Sequence, residues 1–233
     1  MTTFVLIHGA WRGAWTWKRV RPLLAAAGHQ VFTPTLSGLA DRNHLLTPDI
    51  GLETHIEDVS NLLAWEELHD VVLVGHSYGG VVVRHVADRF RDRIRSLVYL
   101  DAFVPEDGRS LVDYLPDGGE HFRSLSAATG EGWMLPPAPA AEFGDDPKDI
   151  QWIDQKSTLH PLSTFETAAR LGGACDQIDN IGYIFASNWA GPFRQFYDMA
   201  LARGWWCETM PCGHDIMTDM PDGLASLLIS RCS

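Results

Sequence analysis

The chain has 233 residues, of which 45% are hydrophobic and 21% charged, and it carries a net charge of −12. That length fills one well-packed domain with room for an insertion. The acidic balance argues against nucleic acid and anionic membranes as partners, because both demand clustered Lys and Arg.

In chain order, the N-terminal "MTTFVLIHGAW" has no basic stretch, no long apolar core and no small-residue cleavage signal. No segment reaches the roughly 18 uninterrupted apolar residues of a membrane span. A complete, cytoplasmic protein is the expectation. Phe4 to Ile7 reads as a strand, and Ala14 to Ala27 as a helix stopped by Gly28. Gln30 to Thr33 is a second strand, followed by the loop "PTLSGLADRNH". Leu52 to Leu68 has helical spacing through Ile56, Val59, Leu62 and Leu63. Asp70 to Val74 is an apolar strand, Tyr78 to Phe90 a helix, and Ser96 to Leu100 another buried strand. Apolar runs without alternation are strands covered on both faces, and their alternation with helices implies a parallel, doubly wound α/β sheet.

The rhythm breaks between Val104 and Asp176, where "LPPAPAAEFGDDP" and weak helical segments replace the strands. A structureless stretch that long is improbable in a compact domain. A mostly helical cap over about 104–176 is therefore expected, set into a core of 1–103 and 177–233. The pattern resumes with a strand at Ile181 to Ala186, a helix at Pro192 to Arg203, a strand at Trp205 to Met210 and a helix at Asp222 to Ile229. Cys175, Cys207, Cys212 and Cys232 form no CxxC pair and lack metal-like His spacing. Free thiols and no zinc site are expected.

The segment "VVLVGHSYGGVVV" carries the strongest chemical signal. Gly75-His76-Ser77-Tyr78-Gly79 is a G-x-S-x-G motif between a strand and a helix, where a sharp turn lifts a serine hydroxyl above the sheet edge. A serine needs a base. Of ten histidines, His214 in "MPCGHDIM" follows the last strand, at the sheet edge where open α/β sheets place their sites. His8 reads as a brace for its loop, and His76 is poorly placed to face the hydroxyl. His29, His55, His69, His85, His121 and His160 read as surface or cap positions. The loop "LIHGAW" supplies the Ala10 N–H, which with the Tyr78 N–H forms the candidate oxyanion hole.

With "FVLIHGAW", "LVGHSYGG" and "GHDIM", the chain resembles the α/β-hydrolase superfamily, and within it the small esterases related to plant hydroxynitrile lyases and methylesterases. The resemblance covers almost the whole chain, least so in the cap. It implies a six-stranded, mostly parallel sheet flanked by helices, a helical cap between the fourth and fifth strands, and a Ser-acid-His triad without cofactor or metal.

In those relatives the acid usually follows the next-to-last strand, yet here "GYIFASNWAGPF" contains no Asp or Glu. Asn188 cannot balance an imidazolium with a full charge. Asp101, at the end of the strand beside the nucleophile strand, is the candidate acid, with Glu106 next in line. Asp215 adjoins His214 and is poorly placed to fold back onto its ring. Trp11, Phe103, Trp133 and Trp189 are the candidate walls of an apolar substrate pocket. The expected activity is a carboxylesterase-like serine hydrolase acting on a hydrophobic, aromatic or bulky ester, carbamate or lactone through an acyl-enzyme. Two alternatives stay open. One is a non-catalytic small-molecule receptor on the same scaffold. The other is a non-hydrolytic enzyme, such as a lyase or a cofactor-free dioxygenase. Lyase chemistry is disfavoured by Asp215 and Ala10, where those relatives carry a lysine and a threonine. A homodimer is expected by fold-level analogy.

Overall fold

Strands too apolar to face water lie at the centre of the molecule, and the helices between them cover both sides. The computed structural model describes residues 1–232. Its first half runs β1 (Thr3–Ile7), α1 (Val20–Ala26), β2 (Gln30–Phe32), α2 (Leu52–Trp65), β3 (Val71–His76), α3 (Gly79–Arg89) and β4 (Ile94–Leu100). Between β4 and the next core strand lie α4 (Glu120–Thr129), β5 (Met134–Leu135), α5 (Ile150–Lys156), β6 (His160–Pro161) and α6 (Ser163–Glu166). The chain ends with β7 (Asn180–Ala186), α7 (Arg194–Ala202), β8 (Trp206–Met210), α8 (Ile216–Asp219) and α9 (Pro221–Cys232).

Six strands form one sheet in the order β2-β1-β3-β4-β7-β8, with every neighbouring pair parallel. Successive strand residues point to opposite faces, so each strand feeds two cores. Val5, Ile7, Leu73, Leu97 and Tyr183 pack with α2, α3 and α7. Phe4, Leu6, Val72, Val98 and Ile184 pack with α1, α8 and α9. Full burial of each such aliphatic or aromatic side chain contributes about 1.5–3 kcal/mol.

Two local expectations are corrected. The helix expected over Ala14 to Ala27 divides into a 3₁₀ turn at Ala14–Lys18 and α1. Pro22 is the reason, because it fits the first turn of α1 but would break a helix running through from Ala14. The segment after β4 also holds a two-stranded antiparallel sheet, β5 with β6, whose strands are too short to show a periodic pattern.

Candidate active site

The β3–β4 register pairs Gly75 with Tyr99 and His76 with Leu100, so Ser77 and Asp101 emerge side by side at the same sheet edge. Ser77 N–H donates to Leu100 O (3.2 Å), and Phe103 N–H donates to Ser77 O (3.2 Å). Ser77 has φ 54°, in the left-handed region that non-glycine residues rarely occupy. Such strain persists where the surroundings over-determine it. Here the flanking glycines do so. A Cβ on Gly75 would lie 2.6 Å from Gly79 O, and one on Gly79 would lie 2.7 Å from His8 O.

His214 lies between β8 and α8, and its backbone N–H donates to Phe143 O (2.9 Å). Its Nδ1 donates to Asp101 Oδ2 at 2.7 Å. An ionised carboxylate only accepts, so the imidazole proton sits on Nδ1 and the Nε2 lone pair is free. Asp101 is fully buried. Its Oδ1 accepts from Ala186 N–H (3.2 Å), and its Oδ2 also accepts from Trp189 Nε1–H (2.9 Å). The imidazole is stacked on Phe193, with centroids 5.0 Å apart and planes 9° apart. Trp189 and His76 lie against it at 4.7 and 4.4 Å. Among the described residues no hydrogen bond joins Ser77 Oγ to His214. Apo sites commonly leave this contact open until substrate binds.

Glu106, the second candidate acid, is exposed and faces Arg109 (3.9 Å) and Arg203 (3.8 Å). Asp215 turns away from the His214 ring and pairs with Arg12 (3.2 Å). The segment after β7 reaches Asp101 through the Trp189 indole N–H, a donor rather than a carboxylate.

Ser77 and His214 line a cavity of about 190 Å³. Ala10 and Tyr78 line it too, and among the described residues neither N–H is hydrogen-bonded to a protein acceptor. Trp11, Phe103 and Trp189 form part of the cavity wall, whereas Trp133 does not. Trp133 sits in the turn that leads into β5, where its N–H donates to Gly130 O (3.1 Å) and its carbonyl accepts from Leu162 N–H (2.8 Å). Phe122, Phe143 and Phe165 furnish that wall instead.

A family model described as Alpha/beta hydrolase family matches residues 4–227. The chain belongs to the alpha/beta hydrolase family. This hydrolase is 42% identical to a carbendazim hydrolyzing esterase of Nocardioides sp. (strain SG-4G), over 98% of each chain. It is 39% identical to Methylesterase 2 of Arabidopsis thaliana over 56% of this chain and 48% of that protein. An extracellular alpha/beta-hydrolase from a Paenibacillus species shares the fold, with a TM-score of 0.88 at 23% identity over 100% of this chain and 99% of that one. The chain is an esterase-type, ester-cleaving hydrolase.

Three histidines read as surface or cap positions, His55, His85 and His160, are buried in this hydrolase. His55 follows Leu52 by three residues and precedes Val59 by four, so it lies on the apolar stripe of α2. Its Nε2–H donates to Ser37 O (2.9 Å), which leaves Nδ1 to accept the Tyr78 hydroxyl (2.8 Å). His160 Nδ1 accepts from Trp11 N–H (3.4 Å), and its Nε2–H donates to Thr164 Oγ1 (2.7 Å). His8 braces its loop as expected, accepting from Leu36 N–H (3.1 Å) and donating to Gly9 O (2.8 Å). His76 donates to His214 O (3.0 Å), away from the serine. Burial lowers the pKa of His8 and His55 to about 4, that of His76 to about 3, and that of His160 well below 6.5. All four are neutral at pH 7.

Behind His214 lies a buried acid pair that the sequence reading missed. Asp145 Oδ1 accepts from Asp215 N–H (3.0 Å), and Arg12 donates to Asp215 Oδ2 from Nε (3.3 Å) and Nη2 (3.2 Å). Burial and the Asp215 charge push Asp145 well above the usual carboxylate range. Burial would raise Asp215 too, but Arg12 holds it below that range. Asp145 keeps its proton and shares it with the Asp215 carboxylate, and among the described residues Asp145 Oδ2 and Asp215 Oδ1 have no other hydrogen-bond partner.

Proposed function

We propose that this hydrolase cleaves small hydrophobic, aromatic-bearing esters or carbamates by acyl transfer, with Ser77 as nucleophile, His214 as general base and Asp101 as its acid. The observation that carries the reading is the 2.7 Å bond from His214 Nδ1 to Asp101 Oδ2, made beside Ser77 at one sheet edge. Ser77 Oγ attacks the substrate carbonyl while its proton passes to His214 Nε2. The carbonyl oxygen becomes an oxyanion, held by the N–H groups of Ala10 and Tyr78. Collapse expels the leaving group, which takes the proton from His214 and departs. A water then gives its proton to His214, attacks the acyl carbonyl and releases the acid, and Ser77 regains its hydrogen. Asp101 holds the imidazole tautomer throughout and stabilises the imidazolium.

The cavity volume and its aromatic wall favour a compact, flat substrate over a long acyl chain. We assign residues 104–176 to a cap on the core 1–103 and 177–233. The cavity residues Leu111, Phe122, Phe143 and Phe165 come from it, and it closes the site from above. Among the described residues no helix is long and apolar enough to cross a membrane. The free thiols fit a reducing compartment, and on that ground we place the enzyme in the cytoplasm.

The test compares wild type with Ser77→Ala on a p-nitrophenyl ester and on carbendazim, for which the Nocardioides relative is named. Turnover by wild type alone is expected, together with fluorophosphonate labelling at Ser77. Background turnover by both proteins and an unlabelled Ser77 refute acyl transfer and favour a binding protein.

A further inference from the structure

We propose that Trp189 is a positioning residue for the acid–base pair: its indole N–H fixes the Asp101 carboxylate while its ring braces the His214 imidazole. This rests on the acyl-transfer reading and deepens it.

Asp101 Oδ2 receives two hydrogens, one from His214 Nδ1 at 2.7 Å and one from Trp189 Nε1 at 2.9 Å. Both in-plane lone pairs of that oxygen are thereby used. Oδ1 is anchored separately by Ala186 N–H at 3.2 Å. A carboxylate held at both oxygens cannot rotate, so the lone pair that meets His214 has one direction.

The indole itself is built in. A Cβ on Gly191 would come within 2.3 Å of the indole ring, and one on Gly144 within 2.9 Å of the Trp189 Cβ. Phe143 packs against the ring edge-on at 5.7 Å, and Phe193 lies at 5.9 Å. Trp189 is thus wedged between the loop after β7, the segment before α5 and the start of α7, with its ring 4.7 Å from the imidazole. The "FASNWAG" stretch lacks an acid of its own, and Trp189 in it supplies the donor that holds the acid arriving from β4. The indole also lines the substrate cavity, so changes in the bound acyl group act directly on the ring that braces His214.

The test is a double-mutant cycle on ester hydrolysis with Trp189→Phe, Asp101→Asn and the double variant. Trp189→Phe keeps an aromatic wall and loses the N–H. A hydrogen bond to a charged group is worth roughly 10–100-fold in rate here, so kcat is expected to fall by that factor. KM should change by less than about threefold, since the lost bond acts on the chemical step. In the Asp101→Asn background the same substitution should change kcat by less than about threefold, because the charge it serves is gone. Additive losses, or a change in KM alone, overturn the proposal. If Asp101→Asn itself retains wild-type kcat, the acid assignment falls and Trp189 falls with it. If Asp101→Asn is impaired but Trp189→Phe is not, only the present proposal falls. A second measurement covers the case in which Trp189→Phe does not fold. With ¹⁵N-tryptophan labelling of wild type and Asp101→Asn, one of the nine indole signals should move strongly upfield in the variant. No movement overturns the proposal.

Discussion

Replacing Asp101 with asparagine separates the charge of the proposed acid from its shape. The carboxylate is fully buried and meets His214 Nδ1 at 2.7 Å, so water does not screen the pair. An imidazolium and a carboxylate with charge centres about 4 Å apart interact by about 4 kcal/mol at an effective dielectric near 20. Loss of that term in the transition state corresponds to about a thousandfold in rate. Asparagine has two ways to fit. With its oxygen toward His214 and Trp189, its amide meets the Ala186 N–H, now 3.2 Å from Oδ1, and the charge is lost. With the amide flipped, it faces two donors and forces the His214 proton onto Nε2, where the base can no longer take the serine proton. The expected outcome is a kcat roughly 10³-fold below wild type, consistent with the size of such effects in serine triads, with an unchanged far-UV spectrum. The assay is steady-state hydrolysis of a p-nitrophenyl ester with correction for background. A folded Asp101→Asn enzyme with kcat within about tenfold of wild type would refute the electrostatic argument.

Three other outcomes are expected. Gly79→Ala places a Cβ 2.7 Å from His8 O and 2.9 Å from Ile7 O, both backbone atoms of the sheet edge. Overpacking of that kind costs about 1–3 kcal/mol and should lower the melting temperature by several degrees; an unchanged melt contradicts the packing argument. The buried neutral histidines make the protein acid-sensitive. His8, His55 and His76 cannot hold a second proton in the fold until pH reaches about 4 or below, and burial holds His160 well below 6.5, whereas the unfolded chain takes the proton up near 6.5. The unfolded state binds more protons in that window, so stability is lost as pH falls from about 6.5 toward 4, each group adding up to about 1.4 kcal/mol per pH unit. Urea unfolding at pH 7 and pH 5 reads this, and equal stabilities at both refute it. Asp145 acts in the opposite direction. It keeps its proton in the fold, while the unfolded chain releases it near pH 4, so its cost to stability grows as pH rises from there to the raised native value. Asp145→Asn mimics the protonated carboxyl and should melt higher than wild type at pH 8 but equally at pH 4. The same difference at both pH values would rule out the shared proton.

The features legible in the sequence share one property: their signal is local. Apolar runs of strand length marked β1, β3, β4 and β7, because burial on both sheet faces leaves no polar position to interrupt them. The glycines flanking Ser77 marked a turn that only residues without a Cβ can make. Asp101 stood out because a carboxylate directly after a core strand needs a partner. His55 is legible in principle, since it falls on the buried apolar stripe of α2, although a polar residue on such a stripe carries no local sign of its partner. What only the tertiary structure decided is which distant groups meet. Asp101 and His214 are 113 residues apart in sequence, and Arg12 and Asp215 are 203 apart. No periodicity links such positions. The nitrogen of His214 that carries the proton, the Trp189 donor on Asp101, the shared proton of Asp145 and Asp215, and the replacement of Trp133 by phenylalanines in the cavity wall all follow from packing. A local pattern states which faces are buried; it is the close approach of buried polar groups, each needing a partner, that selects the pairs.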